Sequence, residues 1–149
     1  MGRRRACPRG CHAGERRQGT CAREGTVSGT TFWYLASPYS RYPGGIEEAF
    51  RLALRETGRL VSAGVPVFSP IAHTHPVAVE CGLDPYSHDI WIPVDEPIMR
   101  AASGLIMLRA ESWEQSYGMR LELEAFTAAG KPVVWMDVGT VPAELRRAP

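Results

Sequence analysis

The order of segments in this chain predicts an α/β domain: a parallel sheet of four to five strands with helices on both faces. Two observations carry that expectation. Short, nearly continuous apolar runs recur at Thr31–Leu35 (TFWYL), Val65–Ser69 (VPVFS), Gly104–Leu108 (GLIML) and Val133–Asp137 (VVWMD). Their length and their β-branched and aromatic content suit strands buried on both faces. Between them lie segments with helical spacing or helix-end signals, long enough for the crossovers that parallel strands require.

The first strand ends at the breakers Ser37 and Pro38, and Pro43-Gly44-Gly45 form a loop. Ile46–Ala63 reads as a helix, with Ile46, Ala49, Phe50, Ala53, Leu54 and Leu60 near helical spacing. Gly64 stops it, because glycine adopts the left-handed conformation that ends helices without a steric penalty. With Val65–Ser69 this makes a right-handed parallel βαβ unit. The polar stretch from Pro70 to about His88 is too long for a turn and reads as a functional or partly helical loop. Asp95, with Pro97 two residues on, reads as the N-cap of a helix that runs to about Ala102. After the third strand, a loop over Arg109–Gln115 leads to a helix from about Ser116 to Ala129, capped by Gly130. The fourth strand and a short helical turn at Pro142–Arg147 complete the chain. The pattern is that of a flavodoxin/Rossmann-like three-layer sandwich. Such sheets bind ligands outside the carboxyl ends of their strands. That rule directs attention to the loops Ala36–Gly45, Pro70–His88 and Arg109–Gly118.

Composition narrows the function classes. The 149 residues are 44% hydrophobic and 22% charged, as in an ordinary single domain. Residues 1–30 hold seven Arg and two Glu, a charge of +5; the rest holds ten Lys and Arg against fourteen Asp and Glu, a charge of −4. Residues 1–30 are poor in large apolar side chains and read as a disordered basic tail, so the domain occupies residues 31–149. Cys7, Cys11, His12 and Cys21 in that tail match no standard zinc spacing, and no metal or cofactor is expected. The mildly acidic domain gives no reason to expect a nucleic-acid partner. No apolar run nears the roughly 20 residues of a membrane span, and the start lacks the apolar stretch of a signal peptide. No membrane association is therefore expected, and the cytoplasm is the expected compartment. The four Cys fit reduced thiols. The chain has no G-x-S-x-G, P-loop or G-x-G-x-x-G motif. Cys81 has no evident His base and reads as an incidental thiol.

Three groups of residues remain as candidates for chemistry. In the loop after the first strand, Ser37, Ser40 and Arg41 precede a helix N-terminus, where backbone N–H groups favour anions. They read as a cradle for phosphate or sugar hydroxyls, or as an ordinary polar loop. Ser116-Tyr117-Gly118 opens a helix in which Glu122 lies between Leu121 and Leu123. A carboxylate so flanked beside a strand-end crevice is either solvated or buried for a purpose. Glu124, about 200° further round the helix, suits the solvated face better. Asp95 is the second carboxylate, with Asp89, beside His88 and Trp91, as its competitor. His73 and His75 alternate in A-H-T-H-P, and an extended chain would place both on one side. No metal-binding pattern accompanies them, so loop or substrate-shaping roles are favoured over metal ligation.

These residues together resemble the nucleoside 2-deoxyribosyltransferase-like superfamily. Tyr34-Leu35-Ala36-Ser37-Pro38-Tyr39-Ser40 looks like its opening strand and phosphate- or sugar-binding loop. Asp95 stands where the family places its catalytic Asp, and Ser116-x-Gly118-x-x-x-Glu122-Leu123 looks like its nucleophile block. D-I-W at Asp89 also looks like a shortened family D-x-x-W element, so two alignments of the catalytic Asp stay open. More closely, Y-L-A-S-P-Y-S with F-S-P-I-A-H-T-H-P is similar to an uncharacterised bacterial and phage branch. The likeness covers roughly Thr31–Val138.

The resemblance implies that Glu122 attacks the anomeric carbon of a (deoxy)nucleoside 5′-monophosphate, with Asp95 assisting departure of the base. Ser116 would contact phosphate, with Ser37, Ser40 and Arg41 completing that site. Tyr39, Trp91 and Phe68 are candidates to stack on the base, although Phe68 suits a core equally well. A deoxyribosyltransferase, a nucleotide-binding sensor without turnover and an interaction module recruited through the basic tail are the other readings. A homo-oligomer is expected by analogy.

Overall fold

The computed structural model describes residues 31–146. The basic tail of residues 1–30, with Cys7, Cys11, His12 and Cys21, lies outside the described residues, as do residues 147–149. Four strands, β1 (Trp33–Ala36), β2 (Val67–Phe68), β3 (Gly104–Arg109) and β4 (Val133–Asp137), form one parallel sheet in the order β2-β1-β3-β4. Four helices accompany them: α1 (Gly45–Ser62), α2 (Pro70–Cys81), α3 (His88–Ala101) and α4 (Tyr117–Ala128). The result is the expected flavodoxin/Rossmann-like three-layer sandwich, and it has the lower of the expected strand numbers. Chain order reverses between β1 and β3, which is where doubly wound sheets open a crevice.

The period-two alternation of strand side chains splits the core into two layers. Leu35, Ile106, Leu108, Val134 and Met136 face one way and pack with Leu52 and Leu60 of α1. Tyr34, Ala36, Leu105 and Met107 face the other way and pack with Met119 and Phe126 of α4, with Ile98 and Met99 of α3 at the margin. A register slip of one residue would exchange the two sets, so burial on both faces pins the pairing. Gly64 (φ 78°) and Gly130 (φ 65°) end α1 and α4 in the left-handed conformation, as expected.

Three expectations are corrected. The strand expected over Val65–Ser69 narrows to Val67–Phe68, because Pro66 lacks an N–H for the ladder and Ser69 turns to cap a helix. The stretch from Pro70 to about His88, read as functional or partly helical, does hold a helix, α2. Its Ser69 side chain accepts from the backbone N–H of Ala72 at 3.4 Å, and Pro70 takes the first helical position, where its missing N–H costs nothing. His73 and His75 therefore point to different sides of a helix and not to one side of an extended chain.

The third correction concerns Asp95, which does not cap a helix. α3 begins at His88 behind Ser87, and Asp95 lies in its interior. Pro93 and Pro97 also lie inside α3, each removing one backbone donor. No residue of α3 is fully buried. Its C-terminal end is tied down by Lys131, whose Nζ donates to the carbonyls of Met99 (2.9 Å), Arg100 (2.6 Å) and Ala102 (2.6 Å). These are carbonyls that a helix end leaves without partners.

Candidate active site

A pocket of about 460 Å³ opens where the strand order reverses. Its floor is Tyr34 of β1. Tyr39 and Ser40 of the following loop and Pro70, Ile71 and Thr74 of α2 form one side. The other walls are single faces of two helices. Gly118, Leu121, Glu122 and Ala125 of α4 line it, and so do His88, Trp91, Ile92, Asp95 and Met99 of α3. Both sets follow the i, i+3, i+4, i+7 rule for side chains that share a helix face.

Glu122 keeps part of its surface open to the pocket although it lies deep among protein atoms. The buried Tyr34 hydroxyl donates to its Oε1 at 2.9 Å. Tyr34 is itself immobilised between Phe68 and Phe126, with ring centroids 6.0 and 5.6 Å away. Burial pushes Glu122 up to about 8; the Tyr34 hydrogen bond opposes that rise and the negative charge of Asp95 adds to it. Burial likewise raises Asp95 to about 6, against a lowering by His73. Burial also raises the Tyr34 hydroxyl far above the ordinary phenol range, reinforced by the charges of Glu122 and Asp95, so it stays a donor. The buried Oδ1 of Asp95 has no hydrogen-bond partner among the described residues. Two desolvated carboxyls on one pocket, one oriented by a fixed hydroxyl and one with an unpaired oxygen, make an arrangement suited to proton transfer and nucleophilic attack.

The other sequence candidates divide. Tyr39, Ser40, Trp91, Ser116 and Gly118 reach the pocket wall with Tyr34, Asp95 and Glu122. Ser116 is the N-cap of α4, its Oγ accepting from the Met119 N–H at 3.4 Å. Trp91 is held by a bond from its Nε1 to the Asp84 carbonyl, 2.9 Å. Ser37 is buried, its hydroxyl has no partner among the described residues, and it lies off the pocket wall. Arg41 is exposed beside Ser40, and Asp89 is exposed on the first turn of α3, both off the wall. Of the two aspartates, the fold therefore brings Asp95 to Glu122 and leaves Asp89 outside.

His73 sits near Phe68 and lowers Asp95 by its charge. His75 is buried behind Tyr39, off the wall. Phe68 packs in the core with Tyr34, and Cys81 is exposed at the end of α2. Glu124 lies on the solvated face, 3.9 Å from Arg120. Sequence reasoning missed Glu47, Thr74, Tyr86 and His88. His88 could have been found from its helical spacing to Trp91 and Asp95. Glu47 carried no such signal.

Among the described residues, no cluster of His, Cys, Asp or Glu is placed to hold a metal ion, and no helix is long and apolar enough to cross a membrane. Fold and pocket together define an α/β protein with a two-carboxyl site at its topological switch point. Residues 31–138 match the model of a family described as a domain of unknown function (DUF1937), and the chain belongs to that family. No curated protein matches the chain.

Proposed function

We propose that this protein cleaves the N-glycosidic bond of a (deoxy)nucleoside 5′-monophosphate by hydrolysis, with Glu122 as nucleophile and Asp95 as acid and base. The carrying observation is the pair itself: Glu122 held by Tyr34 at 2.9 Å, with Asp95 on the facing helix of the same pocket. In this reading a Glu122 oxygen bonds to the anomeric carbon as the carbon–nitrogen bond breaks. The bond electrons go to the base nitrogen, which takes a proton from Asp95. Water then attacks the same carbon, gives a proton to Asp95 and frees Glu122. Two displacements retain configuration.

The pair holds one proton between about pH 6 and about pH 8, and at rest burial places it on Glu122. Attack needs it on Asp95. The Tyr34 hydroxyl, which stabilises the Glu122 carboxylate, favours that arrangement. Trp91, Tyr39 and Tyr86 offer faces for a base. Ser40, Ser116 and the N-terminus of α4 offer hydroxyls and N–H groups for a phosphate. No Lys or Arg is among the described residues lining the pocket, which favours an uncharged nucleoside as the second reading.

The test is chromatography for free base after incubation with ribo- and deoxyribonucleosides and their 5′-monophosphates, alongside Glu122→Gln. Base release lost in the variant, with a sugar ester trapped on Glu122, supports the proposal. An ester on Asp95 would reverse the roles. Release only when a second base is supplied would make the protein a transferase. Binding without turnover would make it a sensor. The expected homo-oligomer is checked on the same sample by light scattering.

A further inference from the structure

We infer that Glu47, His75 and Tyr39 form a proton-ordered chain that makes the Tyr39 hydroxyl a hydrogen-bond acceptor at the pocket wall while His75 is neutral, and a donor once His75 is protonated. The geometry is a line of two bonds. The Tyr39 hydroxyl lies 2.7 Å from Nδ1 of His75, and Nε2 of His75 lies 3.2 Å from Oε2 of Glu47. The His75 ring is 4% exposed and stacks on Phe50 with centroids 4.3 Å apart, so it cannot flip freely. The groups facing it are Glu47 and Phe50 from α1 and Tyr39 from the loop after β1. Tyr86 stands beside Tyr39, and Arg51 holds the other oxygen of Glu47 at 3.2 Å. His73, on the same helix, faces Phe68 instead.

Donor and acceptor counting gives the order. An ionised carboxylate only accepts, so Nε2 of His75 must carry the hydrogen it gives to Glu47. In the neutral ring Nδ1 is then bare and takes the Tyr39 hydrogen. Only the lone pairs of the Tyr39 oxygen are left to face the pocket that Tyr39 lines. A protonated ring carries hydrogen on both nitrogens, so Nδ1 donates to Tyr39 and the hydroxyl hydrogen turns away from the ring. Burial holds the Tyr39 hydroxyl up at about 12, with Tyr86 and Glu47 adding to the rise, so it keeps its hydrogen throughout. The wall thus selects a ligand O–H or N–H donor while the ring is neutral, and loses that preference when both ring nitrogens carry hydrogen.

The ordering needs no ligand. Naming the ligand group as a sugar hydroxyl or a base amino group rests on the nucleoside reading above. Two measurements separate them. The first is NMR of the full chain with ¹⁵N-labelled imidazole, with His75→Gln to assign the signal. The expected result for the neutral ring is hydrogen on Nε2; hydrogen on Nδ1 overturns the ordering whatever the ligand. The second is calorimetric binding to an Asp95→Asn, Glu122→Gln chain, which neither cleaves nor titrates at those positions. The ligands are 2′-deoxyadenosine and analogues lacking only the base amino group, the 3′-hydroxyl or the 5′-hydroxyl. Where the spectrum shows the ring neutral, one deletion should weaken binding roughly 3- to 10-fold, the worth of one hydrogen bond. That penalty should be absent in the same chain carrying Tyr39→Phe, and should fade as His75 takes a proton. If Tyr39→Phe leaves every ratio unchanged, the proposal falls. If no nucleoside binds, the nucleoside reading falls and the imidazole spectrum still decides the ordering.

Discussion

Replacing Glu122 by Gln removes a charge that folding forces out of water, and the structure sets both the sign and the size of the effect on stability. Gln keeps the shape of Glu and an amide oxygen that can still accept from Tyr34 at the 2.9 Å contact. Folding raises Glu122 from its ordinary 4.5 to about 8. Below 4.5 the side chain is neutral in both states, and its acidity costs nothing. Between 4.5 and about 8 the unfolded chain is ionised while the folded one keeps its proton, so the folded state loses stability as pH rises. Above about 8 the cost is constant.

A shift from 4.5 to about 8, at about 1.4 kcal/mol for each pH unit, gives a ceiling near 5 kcal/mol. The opening to the pocket lets water reach part of the carboxylate, which brings the expected cost to about 2 kcal/mol. Glu122→Gln should therefore be more stable than the natural chain by about 2 kcal/mol at pH 8.5 and by little at pH 4.5. Urea unfolding at the two pH values measures it, with Glu124→Gln on the solvated face as the control. Equal stability at both pH values, or an equal gain in the control, would refute the claim that Glu122 is held desolvated for function.

Three other outcomes are expected. If the two carboxyls must share one proton, base release should follow a bell with limbs near 6 and 8, because the nucleophile is lost below it and the acid above it; a flat profile over that range would separate the pair from the chemistry. Tyr34→Phe keeps the packing on Phe68 and Phe126 but removes the hydroxyl that lowers Glu122. A hydrogen bond to a charged group, worth about 1.5–3 kcal/mol, should raise the upper limb by about one to two pH units and slow turnover at neutral pH by about 10- to 100-fold, read from a pH–rate series. Lys131→Met should free the carbonyls at the end of α3, with a loss of about 2 kcal/mol and faster hydrogen exchange in residues 88–101 than in α1; unchanged exchange there would show that α3 is held by other contacts.

The pocket shows where sequence reasoning reaches. Glu122 was legible because an acid between Leu121 and Leu123, nearly two turns into a helix behind a strand, is a local pattern. Its companions at Gly118, Leu121 and Ala125 follow from helical spacing alone. The wall from α3 was less legible. Asp95 with Pro97 two residues on read as a late helix start, so His88, Trp91 and Asp95 were not recognised as one face. That helix is tied at its C-terminal end by contacts distant in sequence, the bonds from Lys131 to Met99, Arg100 and Ala102. The Ser69-Pro70 start of α2 was a local signal that would have turned a partly helical reading of this stretch into a helix with a defined start.

The sequence by itself determined the place of each strand, the helices α1 and α4 and the α/β class, because hydrophobic period and helix-end residues act over a few neighbouring positions. It also determined which carboxylates were worth attention. Only the tertiary structure decided which of them meet. Asp95 and Asp89 differ by six positions, and one faces Glu122 while the other faces solvent. Glu47, His75 and Tyr39 come from two helices and a loop, and nothing in their local sequence joins them. Desolvation, hydrogen-bond partners and the sharing of a proton depend on distance in space, and that distance is set by the packing of elements far apart along the chain.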